Sequence, residues 1–97
     1  MRYFAIVESH DGEYGVSFPD LPGCVAMGAT PEAALSNAVL ALRDWSATYL
    51  RQEPLMPTPS SEQAVRQAYE GDIAPGAALA LVALDEAGDA SAPLSRL

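Results

Sequence analysis

The sequence predicts an α+β fold, a two-layer sandwich in the order β-β-β-α-(short α)-β with its strands arranged 3-2-1-4. Three observations predict it. Bulky and small residues alternate along Tyr14-Gly15-Val16-Ser17-Phe18-Pro19, the period of two that sends successive side chains to opposite faces of a strand. Apolar residues recur at spacings of three and four from Leu35 to Leu50, the period of a helix. A nearly continuous apolar run, Ala77 to Leu84, marks a last strand that is covered on both faces or lies beside a parallel neighbour.

Local chemistry supports each element in turn. Tyr3 to Glu8, rich in aromatic and β-branched residues, reads as the first strand, and Asp11-Gly12 supplies the tight turn into the second. Pro19 has no N–H to give to a ladder and ends that strand. In Leu21-Pro22-Gly23-Cys24 the ring of Pro22 sets φ at the second turn position and Gly23 offers positive φ at the third, so a type II turn reverses the chain into a short strand over Cys24 to Met27. Gly28-Ala29 interrupts it. Thr30 can cap a helix with its hydroxyl, Pro31 suits the first helical position, and Glu32 complements the positive end of the dipole. Leu35, Ala38, Val39, Leu42, Trp45, Tyr49 and Leu50 then form one apolar stripe, with Leu40 outside it and exposed.

Pro54, Pro57 and Pro59 make residues 53–59 a semi-rigid, extended connector. A capping box from Ser60 to Gln63 opens a short helix through about Glu70, with Gly71 as its stop. The right-handed crossover rule places the last strand parallel to the first. One helix covers one face of such a sheet, so the other face calls for a second chain, and Tyr14, Phe18 and Leu81 are its apolar candidates. A homodimer or larger homo-oligomer through that face or the last strand is the expectation. Residues 1–85 form the single domain, and 86–97, with their Ala, Gly, Asp, Ser and Pro, a flexible tail.

Charge narrows the partners. Thirteen acidic side chains against five basic ones give a net charge of −8. Phosphate backbones repel such a surface, so direct nucleic-acid binding is not expected and a basic protein is the favoured partner. The single cysteine, Cys24, excludes an internal disulfide and a thiolate zinc cluster, which fits the cytosol. No apolar run approaches the ~20 residues that span a bilayer, so no membrane role is expected.

Candidate chemistry is sparse. With parallel first and last strands, Glu8 and Asp85 end side by side and Glu32 could approach, the raw material of a magnesium-dependent nuclease; yet Tyr3 to Val7 carries no mid-strand carboxylate. His10 has no nucleophile placed with it, and Cys24 has no neighbouring base to favour thiolate, which leaves it a packed apolar role. Trp45 and Tyr49 lack the basic groove of a base-stacking platform and read as core. No glycine-rich phosphate loop occurs. No catalytic, metal or cofactor residue is therefore assigned, and the chain reads as a non-enzyme.

A strand, the Phe18-Pro19-Asp20-Leu21-Pro22-Gly23-Cys24 turn, a short strand, then Thr30-Pro31-Glu32-Ala33-Ala34 at a helix start: this pattern resembles the HicB family of type II antitoxins over Tyr3 to about Asp85. The resemblance implies a shortened, catalytically inert RNase H-like fold and a basic HicA-type toxin, an RNA-cleaving protein, as partner. Pro19, Leu21, Pro22, Gly23, Thr30 and Pro31 would be its structural motif, and Glu8, Asp11, Glu13 and Asp20 the acids that face the toxin. Many members also carry a C-terminal DNA-binding segment; the twelve residues after Asp85 are too few for one, so DNA binding by this chain alone is not expected. The alternative is an orphan scaffold or ligand-binding domain without a toxin.

Overall fold

The computed structural model describes residues 1–68, 77–84 and 94–96, and among them it contains β1 (Arg2–His10), β2 (Glu13–Ser17), β3 (Val25–Gly28), α1 (Pro31–Tyr49), α2 (Glu62–Ala68), β4 (Ala78–Ala83) and β5 (Leu94–Arg96). The sheet order is β3-β2-β1-β4-β5, with every neighbouring pair antiparallel. The 3-2-1-4 order follows the sequence reading. Asp11 and Gly12 turn the hairpin with φ of 50° and 83°, the left-handed pair that a two-residue loop needs. Gly23 holds φ 85°, and the Cys24 N–H reaches the Leu21 carbonyl at 3.0 Å, closing the type II turn.

β4 corrects one expectation, since it runs antiparallel to β1 rather than parallel. The reason is the path between the helices. α1 ends near the Pro22 turn, where the Trp45 indole N–H donates to the Pro22 carbonyl at 3.0 Å. There the proline-rich connector is tied to the same end of the sheet: the Tyr3 hydroxyl donates to the Pro57 carbonyl, and the Asp20 carboxylate accepts both the N–H and the hydroxyl of Ser60 at 2.7 Å. α2 starts from that end, on the opposite face, and β4 begins beside Val7 at the other end. α2 thus starts from one end of the sheet and β4 from the other, which makes β4 antiparallel to β1.

Ser61 rather than Ser60 caps α2, its hydroxyl accepting from the Ala64 N–H at 3.1 Å, because Ser60 is held by Asp20. Thr30 caps α1 as predicted, accepting from Ala33 at 3.1 Å. Leu94–Arg96 pairs with β4 as β5, so part of the stretch read as a tail is sheet; pairing occupies the backbone groups along that edge of β4. Residues 69–76, 85–93 and 97, including the expected helix stop at Gly71, lie outside the described residues.

Alternation along β1 divides the core. Tyr3, Ala5 and Val7, with Val16, Phe18, Ala80 and Val82, pack against Ala34, Ala38 and Leu42 of α1. Phe4 and Ile6, with Leu79 and Leu81, cluster on the other face with Val65 of α2. Tyr14 and Phe18, read from sequence as facing a second chain, instead share the α1 side with Val16, while Leu81, the third candidate, packs with Val65 of α2 on the other face. The innermost line of α1 is Ala34, Ala38, Leu42 and Ser46, so small residues let the helix approach the sheet closely. Gly28 is the matching concession on β3, since a Cβ there would come within 2.8 Å of the Ala33 carbonyl carbon and the Ala34 Cα.

Candidate functional site

Among the described residues, part of the sheet face turned away from α1 stands uncovered beyond α2. On the face of β1-β2-β3 turned away from α1, Ile6 lies beside Ser17 and Val25, Glu8 beside Gly15 and Met27, and His10 beside Glu13. The small residues Gly15 and Ser17 on the middle strand make a trough of about 340 Å³, walled by Ile6, Glu8 and His10 on one side and by Val25 and Met27 on the other. Val25 and Met27 are 61% and 49% exposed, an apolar pair facing solvent on a protein that buries most of its large apolar side chains. Leu40 is exposed too, as expected, but stands on the outside of α1.

The four acids predicted to face a partner separate in space. Glu8 lines the trough, and Glu13, two residues before Gly15 on β2, shares its face. Asp11 sits at the exposed hairpin tip, 3.5 Å from the His10 imidazole. Asp20 is elsewhere and already engaged, both carboxylate oxygens being used on Ser60. Among the described residues no arginine side chain lines the trough, and the chain has no lysine. Arg2 lies on the same face of β1, at the other end of the strand from Glu8.

The residues weighed for catalysis occupy structural positions. Cys24 is buried in the α1-side core, and burial pushes its thiol up to about 11, so it is a poor nucleophile. The Tyr3 hydroxyl is raised first by burial and next by the negative charge of Asp20. Trp45 stacks on Tyr49 with ring centroids 4.8 Å apart and fastens α1 to the Pro22 turn. The metal reading needed β4 to end beside Glu8; instead Leu84, just past β4, exchanges hydrogen bonds with Met1, at the other end of β1 from Glu8. Asp85 itself lies outside the described residues. Sequence reading missed the trough, although its signal was present: a glycine and a serine facing opposite to Tyr14, Val16 and Phe18.

An antiparallel sheet with α1 on one face, and α2 and an acid-edged apolar trough on the other, defines a small α+β domain. Comparison with known proteins places it more narrowly. A family model described as the HicB-like antitoxin of bacterial toxin-antitoxin systems matches residues 3–91, and the chain belongs to that family. The UPF0150 protein Ta0767 of Thermoplasma acidophilum is 33% identical over 64 residues, covering 65% of this chain and 93% of that protein. The crystal structure of the N-terminal domain of Burkholderia pseudomallei antitoxin HicB superposes with a TM-score of 0.72 at 29% identity, over 88% of this chain and 99% of that one. The crystal structure of the Burkholderia pseudomallei antitoxin HicB gives 0.73 at 27% identity, over 100% of this chain and 72% of that one. A HicA3 and HicB3 toxin-antitoxin complex contains a chain of the same fold, with a TM-score of 0.63 at 23% identity over 88% of this chain and 99% of that one.

Proposed function

We propose that this chain neutralises a basic HicA-type toxin in the cytosol by covering the toxin's RNA-binding and catalytic surface, without itself making or breaking covalent bonds. Membership of the HicB-like antitoxin family across residues 3–91 carries the reading. The similarity to a chain from a HicA3 and HicB3 complex supports a toxin of that kind as partner. The net charge of −8 supports a basic one, because complementary fields speed encounter and exclude wrong partners. Glu8, Asp11 and Glu13 are the acids proposed to face it. Asp20 contributes indirectly by holding Ser60, and with it the connector that shapes this end of the domain. Exposed ion pairs are each worth only about 0.2–1 kcal/mol, so the acids act on association rate more than on final affinity.

Co-expression with a short basic HicA-type protein, sought in the adjacent reading frame, tests the reading. Growth arrest by that protein alone, relieved by this chain together with co-purification, is the expected result. Arrest that persists despite soluble co-expression contradicts it and favours an orphan scaffold. RNA degradation by the purified chain alone contradicts its non-enzymatic part.

A further inference from the structure

Four glycines lie among the described residues, and the fold explains three of them. Gly12 and Gly23 hold positive φ, and Gly28 is pressed by α1. Gly15 differs: its φ is not in the left-handed region, and a Cβ built on it would meet nothing within 4 Å. A glycine inside a strand weakens that strand, and often marks a place where another molecule approaches closely. Gly15 forms the floor of the trough, directly between Glu8 and Met27. The space above it is kept open by the absence of a side chain that the fold itself could accommodate.

We propose that this trough receives a bulky apolar side chain projecting from a basic protein, while Glu8 and Glu13 engage the Lys or Arg residues that flank that side chain. The inference rests on the antitoxin reading and names the part of the surface that carries it. Three observations select this occupant. The volume of about 340 Å³ lies at the small end of ligand-sized sites and gives room for a bulky side chain. A second copy of this chain docked face to face would bring Glu8 and Glu13 against their own counterparts, whereas a cationic partner is attracted by them. An added sixth strand is disfavoured because the Asn37 side-chain amide donates to the Met27 carbonyl at 2.7 Å, occupying an acceptor on the outer edge of β3. The partner therefore meets the face of the sheet.

The test uses the full chain and, as probe, a basic HicA-type protein sought in the adjacent reading frame, rendered inactive, with binding followed by surface-immobilised kinetics. Gly15→Leu fills the trough and should weaken binding by about tenfold or more, chiefly by faster dissociation, while its thermal unfolding stays cooperative. Glu8→Gln with Glu13→Gln should slow association and flatten its salt dependence. Leu40→Ser, on the outside of α1, should bind as wild type. Should Gly15→Leu fail to fold, Met27→Glu on the trough wall is read in its place with the same expectation. Wild-type binding that survives a folded trough variant within about twofold overturns the trough and leaves the antitoxin reading standing. No binding by wild type overturns both. A self-association of the purified chain that Gly15→Leu abolishes assigns the trough to a second copy and overturns the proposal.

Discussion

The two faces of β2 are made from the same five-residue strand and do opposite things. Toward α1 it presents Tyr14 and Val16, joined beyond its end by Phe18, all packed into the main core. Away from α1 it presents Glu13, Gly15 and Ser17, two of which line an open trough. One face spends its side chains on burial; the other withholds them and leaves Glu8, Val25 and Met27 accessible. The difference teaches that stability and recognition here are interleaved residue by residue, so substitutions one position apart should have separable effects.

The largest effect is expected on the core side. Leu42, fully buried beneath the sheet, should cost about 2–5 kcal/mol when cut to Ala, measured by denaturant unfolding, with partner binding recovered wherever the variant is folded. A loss below about 1 kcal/mol would mean that α1 does not seat there as described. Next, Asp20→Ala leaves the Ser60 N–H and hydroxyl without their acceptor and should cost about 1–3 kcal/mol, accompanied by faster hydrogen exchange at the Ser60 amide.

Cys24 adds a dependence on pH. Its folded thiol titrates near 11, above the unfolded value of about 8.5, so the unfolded chain releases the proton first. That contribution is fully present below about pH 8.5 and is lost as pH rises toward 11. Cys24→Ala should flatten this part of the alkaline slope, and the raised Tyr3 hydroxyl should leave a residue of it at higher pH. The smallest effect belongs to the open face: Val25→Thr should change stability by no more than about 0.5 kcal/mol in either direction. A clear loss there would show that the face is covered by the chain's own residues.

Much of the fold was legible because it rests on local backbone chemistry. Asp11-Gly12, Pro22-Gly23 and the Thr30-Pro31 helix start each dictate φ or satisfy a free N–H within a few residues, and each took the predicted form. The direction of β4 was not legible, because it depends on contacts between residues far apart in the chain, Tyr3 with Pro57 and Asp20 with Ser60. The same contacts moved the α2 cap from Ser60 to Ser61. For the site, acidity pointed to Glu8 and Glu13, but composition does not say which acids share a face, and Asp20 proved to be spoken for. Val25 and Met27 looked like ordinary strand residues until α1 was seen to cover only their neighbours Ala26 and Gly28.

Amide chemical-shift mapping of the isotope-labelled chain, titrated with the inactivated basic partner, addresses the claim that recognition occupies the sheet face opposite α1. The account predicts the largest changes at Glu8, Gly15, Ser17, Val25 and Met27, with the outer surface of α1 unmoved. Changes concentrated around Ser36, Leu40 and Arg43 on that helix, with the trough residues unshifted, would contradict it.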